Sequence, residues 1–227
     1  IYTGFRPAFL MLKRTDRDHV MQTLSDNPQW NVIDLGCGAK SGCEYADVLV
    51  DHDDHTDNYP NKKFVKHELN SYPYPFKDKE FDYCFASHIL EHIHEPVKFL
   101  NEIVRISKRG YIEVPSPLFD NLVSSFDPRE EFGHKWWISF SDAKFTLQFR
   151  RRQNILHNTI DIPECNKLYP FFRKSMVVEL YWEDRISAEL CDDTYSYEEK
   201  TYDLSSESLT PWVIGQNVLS KLGIKFN

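Results

Sequence analysis

A short apolar run that ends at two glycines one residue apart, in residues 31–38, is the stretch best suited to holding a ligand. Gly36 and Gly38 tolerate positive φ angles and leave no side chain between the main chain and whatever lies against it. Asp51 ends the next apolar run, residues 46–50. In dinucleotide-type folds, an acid at the tip of the neighbouring parallel strand binds a ribose. The pattern therefore predicts a ligand over two adjacent strand ends.

Histidines and acids form a second chemical group in residues 87–94. Taken alone, His88, Glu91 and His92 give an H-x-x-E-H string, the inverted zinc-protease pattern, and histidines at i and i+4 share one helix face. Such an enzyme needs a third ligand and a long helix, whereas this string stands at a predicted strand exit. A zinc hydrolase is therefore kept as a remote alternative. The His- and Asp-rich residues 52–57 favour a solvated loop, with a divalent metal as the less favoured reading, and we predict no metal site.

Apolar runs separated by turn residues predict the elements that position these groups. An amphipathic helix is expected over residues 97–107 and an earlier one over residues 7–24. Residues 39–45 leave room for one or two helical turns at most, which predicts an open mouth above the glycines. The predicted buried strands are residues 31–35, 46–50, 63–66, 80–87 and 111–115.

Three segments, in this order, resemble motifs of the class I S-adenosylmethionine-dependent methyltransferases of the type 11-like group. Residues 32–38 (VIDLGCG) resemble the first motif, Asp51 resembles the ribose-binding acid, and residues 74–92 resemble the "PF…FD…LEH" run. The resemblance covers roughly residues 30 to 117. It implies a Rossmann-like, doubly wound α/β fold with a mostly parallel seven-stranded sheet and helices on both faces. It also implies S-adenosylmethionine as cofactor and S-adenosylhomocysteine as product.

The resemblance assigns cofactor-binding roles along the strand ends. Asn70 falls where the family often has an acid that binds the adenine amino group, and an amide carbonyl can accept the same N–H. Glu68 is the competing candidate for that role. The predicted cofactor-binding residues are Asp34, Gly36, Cys37, Gly38, Asp51, His52, Leu69, Asn70, Ser87 and His88.

Residues 119–140 are expected to contact the acceptor, because this family usually inserts acceptor-binding residues after the fifth strand. The adjacent Trp136 and Trp137 suggest a platform for the C–H face of a sugar ring, with anchoring of the segment to the core as an equal alternative. His134 is the leading general base, since a neutral imidazole can take a hydroxyl proton near pH 7. His88 is the second catalytic candidate. Glu113 is a rival base and a predicted acceptor-binding residue.

Composition limits the class of partner. The formal net charge of −8 over 227 residues disfavours nucleic acid as a substrate. No run approaches the ~18 apolar residues of a membrane span, and residues 1–30 lack the order of a signal peptide. Five cysteines without C-x-x-C pairs indicate free thiols. We expect a cytoplasmic protein that binds neither nucleic acid nor membrane, and the start at Ile1 favours an excised domain.

We interpret residues 1–227 as a single S-adenosylmethionine-dependent methyltransferase domain. Its core should span about 28–145, with acceptor-side insertions and closing elements over about 118–140 and 150–227. Within these, residues 143–149 and 175–182 should be strands of an antiparallel edge, and residues 209–222 a closing helix. The predicted reaction is methyl transfer to an acceptor hydroxyl on a carbohydrate or glycan. The alternatives are another small-molecule acceptor and a non-catalytic partner module that binds the cofactor.

Overall fold

The computed structural model describes residues 11–122, 133–152 and 162–192. They belong to a compact unit of residues 1–193, and a second unit comprises residues 194–227. The predicted closing helix over residues 209–222 therefore lies outside the described residues, and the single-domain interpretation stays a prediction. Within the described ranges, no helix is both long enough and apolar enough to cross a bilayer. Cys37, Cys43, Cys84 and Cys191 are free thiols, as predicted.

A seven-stranded sheet forms the centre of the molecule. Its strands are β1 (Met11–Arg14), β2 (Val32–Leu35), β3 (Val48–Asp51), β4 (Lys63–Lys66), β5 (Phe81–Ser87), β6 (Ser107–Pro115) and β9 (Val177–Glu183). A separate three-stranded sheet contains β7 (Trp136–Ser141), β8 (Thr146–Arg151) and β10 (Ala188–Leu190). The helices are α1 (Arg17–Ser25), α2 (Pro96–Ile106), α3 (Pro117–Leu122) and α4 (Ile162–Met176), and the last is kinked at Phe172.

The large sheet has the strand order β1-β9-β6-β5-β2-β3-β4. Strands β2 to β6 pair in parallel, whereas β9 is antiparallel to both of its neighbours, β6 and β1. Strand β1 therefore runs in the same direction as β6, and six of the seven strands share one direction. This arrangement confirms the predicted mostly parallel α/β sheet.

Helices cover both faces of this sheet. On β2, Val32 packs into one apolar cluster with α1, while the next residue, Ile33, packs into the other with α2. Every residue of β2 and β3 is buried, as expected for parallel strands covered on both sides. Helix α2 begins with Pro96, and its apolar side chains recur every three or four residues, which matches the prediction for residues 97–107.

The structure corrects the sequence prediction at both ends of the core. Residues 7–10 of the helix predicted over residues 7–24 lie outside the described residues, and residues 11–24 form strand β1 followed by α1. Asp16 caps α1 by accepting a hydrogen bond from the His19 amide (2.8 Å). Backbone pairing with β9 keeps Met11–Arg14 extended. Since β1 and β9 belong to the main sheet, that sheet extends beyond the predicted core of residues 28–145. Residues 143–149 contribute to β8 in the small sheet, and they do not complete the edge of the large one.

Candidate functional site

The turn after β2 lies against the end of β3. Gly36 has a φ of +75° and donates its amide to the Val50 carbonyl (2.8 Å), while Gly38 has a φ of +59° and donates to Asp51 Oδ2 (2.8 Å). A Cβ on Gly36 would lie 2.9 Å from the Ile89 side chain. Glycine is therefore required at Gly36 both by its backbone conformation and by the close approach of Ile89. No helix follows the turn in residues 39–45, so its mouth is open as predicted.

A cavity of about 510 Å³ opens at the carboxyl ends of β2, β3, β4 and β5. This is the edge at which ligands bind in open parallel sheets. Predicted cofactor-binding residues on its wall are Gly36, Gly38, Asp51, His52, Leu69, Asn70 and His88. Seven of the ten predicted cofactor-binding residues therefore line the same cavity.

The remaining predicted cofactor-binding residues, Asp34, Cys37 and Ser87, do not line this cavity. Asp34 is buried, accepts the Cys43 amide (2.7 Å), and burial raises the pKa of its carboxyl to about 7. Cys37 is also buried, which raises the pKa of its thiol to about 12. Ser87 donates to Glu113 Oε1 (3.3 Å). Asp34 and Ser87 thus direct their polar atoms to other protein groups, and Cys37 is buried, so none of the three faces the cavity.

Leu69, Asn70 and Glu68 form the far side of the same cavity. Asn70 Oδ1 accepts the His94 amide (2.9 Å), and its Nδ2 donates to Glu68 Oε1 (3.1 Å). The amide plane of Asn70 is therefore fixed, with its second oxygen lone pair left for a ligand. Both acceptors proposed for an adenine amino group, Glu68 and Asn70, are at the cavity.

His88 stands at the exit of β5 with a φ of +54° and a half-exposed side chain. Its Nε2 lies 3.1 Å from Glu113 Oε1, and its Nδ1 lies 3.4 Å from Glu91 Oε1. Burial lowers the pKa of His88, but the neighbouring carboxylates of Glu113 and Glu91 outweigh burial and raise the pKa to about 10. The raised pKa favours the imidazolium form, which has no lone pair for a proton, and the catalytic role of His88 stays a prediction. Its position on the cavity wall agrees with the predicted cofactor contact.

Glu113 is the centre of a buried polar cluster. Its carboxylate accepts hydrogen bonds from the Tyr111 hydroxyl, from Arg17 (3.4 Å) and from Arg173 (2.7 Å). Burial raises the pKa of Glu113, but hydrogen bonds from His88 and Tyr111 lower it to about 2. With 2% of its surface exposed, Glu113 cannot reach an acceptor, which corrects its predicted substrate-binding role. It instead anchors two arginines.

Those two arginines line a second cavity, of about 670 Å³. It lies between the first turn of α1 and the kinked end of α4, and Arg173 also pairs with Glu179 there (2.8 Å). Phe171 and Phe172, both exposed, stand on its wall. Sequence reasoning expected residues 150–174 to lie near the acceptor but did not single out these side chains. Glu113 links the two cavities, since it contacts His88 on one side and the arginines on the other.

The two tryptophans do not form the predicted platform. Adjacent residues on a strand point to opposite faces, and Trp136 and Trp137 are the first two residues of β7. Trp136 is 5% exposed, donates its indole N–H to the Ile93 carbonyl (2.7 Å) and packs edge-on against Phe149. It therefore anchors the small sheet to the core, which was the alternative reading. Neither tryptophan lines the two cavities described above.

His134, the predicted general base, is 3% exposed and also lies off both cavities. Its Nδ1 is 2.6 Å from Asp120 Oδ1, and its ring packs edge-on against His92, with centroids 4.6 Å apart. His92 itself lines the first cavity. An acceptor hydroxyl cannot reach the His134 imidazole in this arrangement, so burial contradicts the predicted role as base.

A family model and several solved structures are similar to parts of this chain. Residues 33–112 match the family model described as a methyltransferase domain. No curated protein matches the chain. Similar solved structures include the YcgJ protein of Bacillus subtilis, with 17% identity, a TM-score of 0.36, and coverage of 48% of this chain and 53% of that one. A Thermotoga maritima S-adenosylmethionine-dependent methyltransferase, described as a possible histamine N-methyltransferase, has 18% identity, a TM-score of 0.35 and coverage of 46% and 52%.

A third similar structure is the complex between the Haloferax volcanii Trm112 methyltransferase activator and a methyltransferase. It has 13% identity, a TM-score of 0.41, and coverage of 74% of this chain and 95% of that one. The chain spans about half the length of the YcgJ and Thermotoga maritima proteins that it matches.

Proposed function

We propose that this chain, whose residues 33–112 match the family model described as a methyltransferase domain, transfers a methyl group from S-adenosylmethionine to an acceptor hydroxyl on a carbohydrate. One observation carries the proposal. The cavity at the carboxyl ends of β2 to β5 combines a side-chain-free glycine turn with a carboxylate, Asp51, that the Gly38 amide holds in place (2.8 Å).

The residues around this cavity fit the cofactor. A Cβ on Gly36 would meet Ile89, so the turn is a cradle that only glycine leaves open to a ligand. Asp51 Oδ1 accepts the Asp53 amide and lies 2.9 Å from His52 Nδ1, whereas Oδ2 accepts only the Gly38 amide among the described residues and keeps a lone pair for a ribose hydroxyl. Leu69 offers an apolar surface to the adenine, beside Asn70. When bound, S-adenosylmethionine supplies an electrophilic methyl group on a sulfonium sulfur.

The second cavity is the proposed acceptor site. Arg17 and Arg173 present fixed donors there, because Glu113 and Glu179 hold their guanidinium groups. Such preorganised donors orient hydroxyl oxygens at low entropic cost. The exposed rings of Phe171 and its neighbour supply the apolar surface that the C–H face of a sugar needs. In this proposal the two phenylalanines, rather than Trp136 and Trp137, bind the C–H face of the sugar ring.

The first experiment measures cofactor binding. Titration calorimetry with S-adenosylhomocysteine should give saturable binding to the wild type and, for Asp51→Asn, a dissociation constant raised about 10- to 100-fold, because hydrogen bonds to a charged group are lost. Asp53→Asn is the matched control, since this neighbouring acid is exposed and offers only its backbone amide to Asp51. Equal affinity for the wild type and Asp51→Asn would contradict the proposed cofactor site.

The second experiment tests the acceptor. The chain is incubated with methyl-labelled S-adenosylmethionine and separate panels of glycans, small phenols and amines, and products are identified by mass spectrometry. Phe171→Ser should raise KM for a glycan acceptor and leave the affinity for S-adenosylhomocysteine unchanged. Leu190→Ser, which removes a similarly exposed apolar side chain from β10, is the control. Methylation of amines alone would refute the carbohydrate assignment while leaving the methyl transfer intact.

A further inference from the structure

A carboxylate beside the first cavity is completely buried and poorly compensated. Glu91 is 0% exposed, and neither of its oxygens has a hydrogen-bond donor among the described residues. His88 Nδ1 approaches one oxygen only to 3.4 Å. Burying a charge without hydrogen bonds is costly, and a charged His88 at that distance compensates it only in part, so the carboxylate remains available to a further cation.

Two imidazole nitrogens face the same carboxylate. His92 Nε2 and His134 Nε2 are each 4.0 Å from Glu91 Oε1, and the three ligand atoms lie within 4.8 Å of one another. A separation of 4.0 Å is too long for a hydrogen bond. It is close to the spacing of about 3.4 Å between two ligands of a tetrahedral zinc ion with bonds of about 2.0–2.1 Å. The two histidine nitrogens are therefore each within about 0.6 Å of that spacing from the carboxylate oxygen.

Asp120 orients one of these imidazoles. Its Oδ1 lies 2.6 Å from His134 Nδ1, and Asp120 is 3% exposed. With Nδ1 directed at this carboxylate, Nε2 is the ring nitrogen that faces Glu91. When a histidine binds a metal through one ring nitrogen, a carboxylate hydrogen-bonded to the other ring nitrogen usually fixes its tautomer and orientation.

The chain also fixes the two segments that carry these side chains. Glu91 and His92 lie in the 3₁₀ turn Leu90–His92, and His134 directly precedes β7. The Lys135 amide donates to the Glu91 carbonyl (2.7 Å), and the Trp136 indole donates to Ile93 (2.7 Å). The geometry is therefore set by backbone and buried contacts on both sides of the cluster.

We propose that Glu91, His92 and His134 form a zinc site with one carboxylate oxygen and two imidazole nitrogens as ligands. Zinc prefers this mixture of nitrogen and oxygen donors, and three protein ligands leave a fourth position for water or a ligand. His92 lines the first cavity, so the site adjoins it. The site differs from the H-x-x-E-H string, because His134 takes the place of His88, whose Nε2 is bound to Glu113. It does not depend on the proposed methyl transfer.

The test uses the untagged chain, stripped with a chelator and titrated with Zn²⁺ against a chromogenic competitor. The wild type should bind one Zn²⁺ per chain. Co²⁺ bound to the same site should show the visible absorption of a four-coordinate ion, and equimolar Zn²⁺ should abolish that absorption. Because this measurement needs no variant, failure of the wild type to bind either ion would overturn the proposal.

Variants then assign the ligands. His92→Gln and Glu91→Gln should weaken Zn²⁺ binding by about 100-fold or more, and Asp120→Asn, which perturbs only the orientation of His134, by about 10- to 100-fold. His94→Gln is the control, because this exposed histidine is close in sequence but outside the cluster. Wild-type affinity in the His92 and Asp120 variants, or an equal loss in the His94 variant, would place the ion elsewhere and refute the site.

Discussion

Replacing Asp34 by asparagine should remove a large part of the pH dependence of stability. Asp34 lies at the centre of the sheet, 2% exposed, where its carboxylate accepts the Cys43 amide. Asparagine has nearly the same shape and keeps an oxygen for that amide, so Asp34→Asn changes the charge while preserving the hydrogen bond.

The magnitude follows from the pKa. Burial raises the pKa of Asp34 from its usual 3.8 to about 7. The folded chain therefore holds this proton more tightly than the unfolded chain, so stability is highest below about pH 4 and falls as the pH rises to about 7. Because the folded and unfolded pKa values differ by about three units, ionisation of Asp34 should lower the free energy of unfolding by about 4 kcal/mol above pH 7. That penalty is absent in the asparagine variant.

Urea unfolding of both proteins, without cofactor, between about pH 4 and pH 8 measures this effect. The free energy of unfolding of Asp34→Asn relative to the wild type should increase by about 4 kcal/mol across this range, or roughly 8–16 °C in melting temperature. Asp47→Asn is the control, because Asp47 accepts the Val32 amide in the same way (2.8 Å) but is exposed. A difference between variant and wild type that stays constant with pH would refute the reasoning.

Three further substitutions test separate parts of the architecture. Gly36→Ala should cost about 1–3 kcal/mol of stability in denaturant unfolding, because it combines a positive φ with a contact of 2.9 Å to Ile89. Adding Ile89→Ala should recover part of this loss. An unchanged free energy of unfolding in Gly36→Ala would contradict the strain. Glu113→Gln should cost about 3–5 kcal/mol at neutral pH by leaving two arginines without their buried partner. The pKa of Glu113 in the folded protein is about 2, below its usual 4.5. The difference in free energy of unfolding between wild type and Glu113→Gln should therefore shrink as the pH falls below 4.5, and a difference that persists in acid would contradict this role of the carboxylate. Trp136→Phe should cost about 1–3 kcal/mol in thermal unfolding by orphaning the Ile93 carbonyl, and an unchanged melting temperature would show that the hydrogen bond contributes little.

The centre of the fold could be predicted because its signals are local. The apolar runs at residues 31–35 and 63–66 became β2 and β4, and the periodic residues 97–107 became α2. Burial of β2 on both faces and of α2 along one stripe leaves a direct mark on the sequence, whereas β4 is only partly buried. The glycine turn was likewise predictable, because its positive φ angles favour glycine.

The acceptor side could not be predicted, because it depends on contacts between distant segments. Arg17 and Arg173 meet only through Glu113 and Glu179, and no local pattern marks such a meeting. His134 looked available as a base because a sequence does not show burial. Strand β1 was assigned to a helix since its partner, β9, lies near the other end of the described chain.

The pairing of β1 with β9 has a consequence for how the protein folds. Leu12 lies opposite Trp182, so the edge of the sheet closes only after almost all of the intervening chain has formed. Contacts this distant in sequence carry a large loop-closure cost and are gained late. We expect β1 to remain unprotected until β9 has added to β6, and pulse-labelled hydrogen exchange should show protection in β2 and β5 first. Equal rates of protection would contradict this order. Strand β1 precedes the other described strands along the chain, yet it would be among the last of them to become ordered.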